Sequence, residues 1–392
     1  GGTTSGAPKS PADDQVNSFA KLTTAAAIPL IATPMINPLE VLAREKDAEK
    51  GPFEGMALPT DAYTRVGSTF TCKVLNGMWQ VSGAHGYQAE RGPVESEMAR
   101  CVDAGFTTFD LADIYGPAEG FVGSFVKGKY ASRLAKECQF FTKWVPQPDR
   151  INKKMVDDAV GRSLARMNTE QLDLLQFHWW DYGNKYYFNA MDGLMDLQQR
   201  GQIKNIGLTN FDTQHMLELM DQKAPIVSNQ VSFSIIDARP LQRMVPACEE
   251  RGVKLLCYGT LMGGFLSERW LGKPEPAPEL LTNVSLRKYL PWIRIWGGWS
   301  LLQQLLQVLK SVADKHRVSI ANVAVRWVQQ QPAVGGAIIG VRFGYSQHVA
   351  DNAKLFSFTL DEEDMTAIDA VRSKGNDLIN VFGDCGGEYR RA

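Results

Sequence analysis

From about residue 63 onward, short apolar runs alternate with amphipathic helical stretches along the chain. VLNGMWQV (74–81) leads to a helix at VESEMARCVDAG (94–105), and TTFDLA (107–112) to one around AEGFVGSFVKG. CQFFTKW (138–144) leads to NKKMVDDAVGRSLARM, and LDLLQFHW (172–179) to YFNAMDGLMDLQQRG. IKNIGLT (203–209) leads to FDTQHMLELMDQ, and IVSNQVSF (226–233) to RPLQRMVPACEERG. VKLLCYGT (253–260) leads to a long insertion and then WSLLQQLLQVLKSVADKH, and AVGGAIIG (333–340) to QHVADNAKLF. The apolar runs do not alternate with polar positions, as expected of parallel strands buried on both faces. Before them, TRVGSTFTCKV reads as a hairpin turning at Gly67-Ser68.

Strand-helix units of this kind, recurring roughly every 30 to 40 residues, predict an α/β fold built as a (β/α)₈ TIM barrel. The barrel and a C-terminal tail fill 63–392, with the N-terminal hairpin at the start. Residues 1–62 form an N-terminal extension outside the pattern. Its GGTTSGAPKSPADDQ reads as a flexible lead-in, and EVLAREKDAEKG suits one short charged helix. A doubly wound sheet would usually place G-x-G-x-x-G after an early strand, and no such motif occurs. Neither a P-loop nor H-E-x-x-H is present.

Composition narrows the function classes. Apolar residues make up 44% of the chain, enough for a sizeable core, and the formal net charge is −1. A nucleic-acid binder dominated by phosphate contacts would carry a basic face, so that class is disfavoured. The six cysteines, at 72, 101, 138, 248, 257 and 385, include no C-x-x-C and read as free thiols. AAAIPLIATPMI (25–36) has two prolines and falls short of the roughly 18 residues a membrane span needs. The chain does not begin with Met, so a trimmed start or a removed presequence is expected.

In a barrel of this type the chemistry sits at the C-terminal ends of the strands. There the sequence offers Asp110 and Tyr115 after the second strand, Lys143 on the third and His178 on the fourth. Thr209 and Asn210 follow the fifth, Asn229 and Gln230 lie on the sixth, and Tyr258 on the seventh. Singly these have dull explanations, the lysine as a snorkelling edge charge for instance. On adjacent strand ends they make a proton-transfer site. Asp110 would pair with Lys143, and the ammonium would stabilise the Tyr115 phenolate and lower its pKa. Tyr115 could then protonate a carbonyl oxygen, with His178 hydrogen-bonding the same oxygen. No nucleophile or metal is implied, so a bound nicotinamide is needed as hydride source.

FDLADIYG, FTKW, LDLLQFHWW, IGLTNF, SNQVSFS and YGTLMGGFLS, in that order, resemble the aldo/keto reductase superfamily over roughly residues 63–372. The resemblance implies an NADPH-dependent reduction of an aldehyde or ketone to an alcohol, with the tetrad Asp110, Tyr115, Lys143 and His178. It implies that Thr209, Asn210 and Gln230 bind the nicotinamide carboxamide, Thr209 standing where the family usually has Ser. Tyr258 would stack on the nicotinamide, and Gly259, Thr260, Leu261, Gly263 and Gly264 would line the pyrophosphate loop. Arg342 matches a grip on the 2′-phosphate, and Gln347 and Asn352 match adenine contacts. QFHWWDY, WGGW and the tail GDCGGEYRRA further resemble a plant and algal subgroup found in plastids, which implies a chloroplast location.

Trp79 and Trp179, at or just past strand ends, and Trp296 in the insertion with Trp292 and Trp299 are candidate substrate contacts. Asn283-Val284-Ser285 matches a glycosylation sequon without any sign of secretion, and Cys385 stands near what reads as a flexible tail. The apolar segment IPLIATPMI suggests that residues 19–50 dock on a protein partner. A second functional reading follows: a cofactor-binding subunit of a larger plastid assembly with slow or vestigial reductase activity. A hydrolase or lyase would need paired carboxylates or a metal cluster at the strand ends, and neither is legible.

Overall fold

Short strands that are apolar on both faces need cover on both sides, and a closed barrel ringed by helices supplies it. The computed structural model describes residues 58–390 apart from 84, 87, 132–134 and 344–347. The expected docking segment at 19–50, the short charged helix and Gln347 lie outside the described residues.

The antiparallel hairpin is β1 (Tyr63–Val66) with β2 (Thr69–Cys72). Eight parallel strands follow: β3 (Val74–Gly77), β4 (Thr108–Asp110), β5 (Gln139–Trp144), β6 (Leu174–Phe177), β7 (Ile206–Thr209), β8 (Ile226–Ser232), β9 (Lys254–Tyr258) and β10 (Val334–Gly340). They close in chain order, with β10 pairing both β9 and β3. Between them run α1 (Arg91–Asp103), α2 (Ala118–Lys127), α3 (Lys153–Met167), α4 (Tyr187–Gln199), α5 (Thr213–Asp221) and α6 (Met244–Arg251). After β9 come α7 (Val284–Trp296), α8 (Gly298–His316) and α9 (Ile320–Gln329). After β10 come α10 (Val349–Ala353), α11 (Glu362–Arg372) and α12 (Ile379–Phe382).

Each of the eight expected strands forms, but several are shorter than their apolar runs. β3 ends at Gly77 and Met78–Ser82 winds into a 3₁₀ turn; β6 ends at Phe177, one residue before His178. The long insertion includes the helix α7, which Asn283 caps by accepting from Leu286 N. That cap is the role the structure gives the residue of the sequon.

The hairpin closes the N-terminal end of the barrel. Leu75, Phe141, Leu174 and Leu256 pack inside the strands, and Val66 of β1 caps them. Asn205, just before β7, accepts from Ser68 N at 3.0 Å and donates to Thr69 Oγ1 at 2.8 Å. Gly67 turns the hairpin at φ 57°, and a Cβ there would collide with the Asn205 side chain. With that end plugged, the opposite mouth is left for chemistry.

The tail is not the flexible segment its composition suggests. After α12 it crosses the C-terminal mouth. Thr213 N donates to Asp384 Oδ2, and Arg239 holds Glu388 at 2.9 Å. Arg390 donates to the carbonyls of Asn210 and Trp179, both at 2.6 Å. Cys385 of the tail is itself buried, and burial raises the pKa of its thiol well above the ordinary value, so it stays protonated and unreactive. All six cysteines are free and buried.

Candidate active site

The register of β4 against β3 and β5 sets Asp110 level with Gly77 and Phe141, at the C-terminal rim. Lys143 lies one step across on β5, opposite Gln176 of β6. Its ammonium donates to Asp110 Oδ2 at 2.7 Å, to Leu111 O at 2.7 Å and to Tyr115 Oη at 3.3 Å. The lysine and aspartate side chains are only 5% and 3% exposed. A buried ion pair persists at such exposure only with its remaining hydrogen bonds met. Asp110 Oδ1 meets them by accepting from Gln176 Nε2 at 3.1 Å and Gln230 Nε2 at 2.7 Å.

Tyr115 reaches the lysine because β4 ends in a tight turn. Tyr115 N donates to Ala112 O, and Asp113 N donates to Lys143 O at 3.1 Å. The Asp113 carboxylate also accepts from Val145 N at 3.3 Å, tying the tyrosine's turn to β5. Burial pushes that carboxyl up to about 7.

Two features of the tetrad differ from expectation. The Tyr115 pKa lies well above the ordinary tyrosine value, first because of burial and then because the Asp110 carboxylate lies behind it. The Lys143 ammonium at 3.3 Å does not offset them, and burial in turn lowers the pKa of Lys143. Tyr115 therefore holds its proton firmly. The second difference concerns His178. Burial, then the Arg390 guanidinium, pull its pKa down to about 3, so the ring is neutral. Its Nδ1 lies 3.2 Å from Thr209 O, which can only accept, so the ring proton sits on Nδ1. Nε2, buried and without a protein partner, thus serves as an acceptor rather than the expected donor.

One cavity of about 500 Å³ runs past these groups. Asp110, Tyr115, Lys143, His178, Thr209, Asn210, Gln230, Tyr258, Gly259, Thr260, Leu261, Gly263, Gly264, Arg342 and Asn352 all line it. Of the expected cofactor residues, only Gln347 is not placed. Asn210 sits at φ 57° and its Oδ1 accepts from Tyr258 Oη at 2.7 Å. Gly263, at φ 69°, lies under α7 so closely that a Cβ would strike the Ser285 backbone.

Among the substrate candidates, Trp79 lines the cavity, edge-on to His85 at 4.6 Å. Trp179 and Trp296 do not. Trp179 is 0% exposed, its indole N–H donating to the carbonyls of Asp181 and Asn184. Trp296 is buried against Gly375, and Trp292 stacks on Phe382 at 4.5 Å. Trp292 and Trp296 thus pack the insertion against the C-terminal segment. Trp180 lines the cavity instead, edge-on to His178 at 4.2 Å. Its two-residue offset from His178 is the signal that points to it, since extended chain returns to the same side every second residue. Lys288 and Tyr289 of α7 and Tyr389 of the tail also line the cavity, and none stands near a strand end in the sequence.

Removing the Lys143 charge should be costly twice over. In Lys143→Met, Asp110 keeps its buried charge without its partner, so about 3–5 kcal/mol of stability should go. Turnover should fall on the order of 100-fold or more. Thermal melts and steady-state rates of the same preparation test both, and a fully active variant would remove Lys143 from the chemistry.

The aldo/keto reductase family model matches residues 73–373. The chain is 24% identical over 314 residues to chloroplastic pyridoxal reductase of Arabidopsis thaliana, covering 76% of this chain and 82% of that protein. It is 31% identical over 176 residues to flagellar radial spoke protein 5 of Chlamydomonas reinhardtii, covering 40% of this chain and 33% of that protein. Among solved structures, glycerol dehydrogenase from Gluconobacter oxydans superposes with a TM-score of 0.66 at 21% identity, covering 83% of this chain and 98% of that one. That likeness bears on the fold.

Proposed function

This chain belongs to the aldo/keto reductase family, and on that premise we propose that it reduces an aldehyde or ketone to an alcohol with NADPH, Tyr115 giving the proton. The observation that carries the reading is the buried Asp110–Lys143 pair at 2.7 Å with the Tyr115 hydroxyl at 3.3 Å, all facing one cavity.

The residues fit a dinucleotide. Amide and hydroxyl side chains of Asn210, Gln230 and Thr209 line the same cavity as the glycine-rich loop at 259–264 and the Arg342 guanidinium. An arginine fork there suits a 2′-phosphate and supports NADPH over NADH. When bound, the reduced nicotinamide supplies the hydride. The chain's own part is proton delivery and orientation. Tyr115 donates its phenolic proton to the carbonyl oxygen, and the Lys143 ammonium stabilises the phenolate left behind. The hydroxyl that forms can donate a hydrogen bond to His178 Nε2. Gln176 and Gln230 keep Asp110 turned toward Lys143.

Fluorescence titration with NADPH and NADH, then NADPH oxidation against aldehydes, ketones and quinones, tests this reading. NADPH should bind at least about 10-fold more tightly than NADH, the order expected of charge-assisted contacts to one phosphate. Turnover should appear on some member of the panel. Absence of NADPH binding would sink the proposal. Tight binding without turnover would favour the second reading, a cofactor-binding subunit of a larger assembly. That reading draws on the partial likeness to flagellar radial spoke protein 5, one third of whose length the chain covers. A chloroplast location is part of the proposal too, supported by the likeness to chloroplastic pyridoxal reductase. A fluorescent fusion of the full-length protein imaged in plant cells tests it.

A further inference from the structure

Helix α7 turns Ser285, Lys288 and Tyr289 toward the cavity, positions three and four apart on one helix face. Lys288 is the unusual member. Its ammonium has three protons to give and donates to one protein group, the Tyr389 hydroxyl at 3.0 Å. The rings of Tyr258, Tyr289 and Tyr389 surround it at 5.2 to 5.4 Å. Among the described residues no carboxylate lies within ion-pair distance of it. Glu388, on the same tail, is engaged by Arg239 at 2.9 Å.

The tyrosines bring no counter-charge. Burial raises the pKa of Tyr258 well above the ordinary value and that of Tyr289 to about 12, so both are neutral near pH 7. Burial also presses Lys288 toward losing its proton, and the hydrogen bond to the Tyr389 hydroxyl and the field of the Glu388 carboxylate act against this. The cavity wall therefore presents a cation without a paired anion, a costly arrangement that a bound anion would relieve.

The position of that cation relative to the chemistry is also on view. Tyr389 touches Lys288 through its hydroxyl, and its ring stands edge-on to His178 at 5.9 Å and to Trp180 at 6.3 Å. One aromatic ring thus spans the distance from the tetrad to the cation. We infer that Lys288 is a specificity-determining residue that makes this a site for anionic carbonyl compounds, with a carboxylate or phosphate about one aromatic ring's span from the reacting carbonyl. The inference rests on the reductase reading above. It gives Tyr389 a part as well, as the group that aims the ammonium.

The test compares 4-carboxybenzaldehyde with its uncharged methyl ester as substrates of the full chain, of Lys288→Met and of Lys288→Arg. The unaltered protein should favour the carboxylate in kcat/KM by about 10- to 100-fold, the range of a hydrogen bond to a charged group. Lys288→Met should erase that preference, chiefly through KM, and Lys288→Arg should keep most of it. The same preference in the unaltered protein and in Lys288→Met overturns the inference, as does no preference in the unaltered protein. Weakened NADPH binding in Lys288→Met with an unchanged aldehyde ratio also overturns it, by assigning the cation to the cofactor's diphosphate. If neither aldehyde turns over, the reductase reading is what suffers. Calorimetric binding of 4-carboxybenzaldehyde then decides the anion site: about 10-fold weaker binding to Lys288→Met upholds it, and equal binding overturns it.

Discussion

Tyr115→Phe should lose carbonyl reduction by about 10²- to 10⁴-fold, the contribution expected of a positioned general acid. It should leave NADPH affinity and the melting temperature nearly unchanged. The geometry explains why the effect is so selective. The Lys143 ammonium lies 4.7 Å from the centre of the Tyr115 ring, so a phenylalanine keeps the cation–ring contact and the packing. Only the hydroxyl at 3.3 Å from that ammonium is removed. The pH dependence of the unaltered protein carries a second check. Burial and then the Asp110 carboxylate hold the tyrosine pKa well above its ordinary value of 10.0. The acid form is therefore fully present through neutral pH, and reduction should not decline between roughly pH 6 and pH 9 through loss of this proton. Equal loss of turnover and cofactor binding in Tyr115→Phe would make the residue structural.

The tetrad is legible in the sequence because each member is tied to a strand end, and the strands are legible because their apolar runs lack alternation. Asp110, Lys143 and His178 need only the β-strand period and the barrel's polarity to be placed on one rim. Trp179 shows where that reading needs finer resolution. Two tryptophans stand side by side after β6, and consecutive residues of extended chain point to opposite sides. Trp180 returns to the side of His178, and Trp179 goes into the core beside Phe177. Trp296 was misplaced for a different reason. The insertion carries an amphipathic helix whose buried face holds tryptophans, and its cavity face holds Ser285, Lys288 and Tyr289. Aromatic character alone does not separate a packing face from a lining face. The state of His178 could not be read at all, since it depends on a carbonyl of the next strand and on a guanidinium 212 positions later, Arg390. Tyr389 belongs with these. No period or motif says that a Gly-rich tail folds back over the mouth.

What pins that tail leads to a second large expected change in stability. Arg239→Met should cost about 3–5 kcal/mol, because it leaves carboxylates buried without their cation. Arg239 is 1% exposed and Asp237 0%, and the guanidinium grips Asp237 through two bonds at 2.7 and 3.0 Å. A third bond, at 2.9 Å, reaches Glu388, and two more reach the carbonyls of Gly383 and Asp384 at 3.3 Å. Its guanidinium carbon also lies 5.4 and 5.5 Å from the ring centres of the stacked pair Trp292 and Phe382. Methionine keeps some of that packing and none of the charge. The melting temperature should fall on the order of 10 °C for a domain of this size. The residues after 382 should become open to proteolysis, while far-ultraviolet circular dichroism of the barrel is retained. Turnover should drop as well, because Tyr389 and Arg390 leave the cavity and His178. The pH dependence has a definite sign. Glu388 is buried, which alone would raise its pKa, but Arg239 more than offsets this and holds it below its usual 4.5. A carboxyl lowered in the folded state stabilises fully above its unfolded pKa, and that contribution fades as pH falls through the folded one. The gap between Arg239→Met and the unaltered protein should therefore be widest near neutrality and narrow below about pH 4. A variant that melts with the unaltered protein and keeps its tail protected would show that the apolar contacts of Trp292 and Phe382, not the ion pair, hold the tail across the mouth.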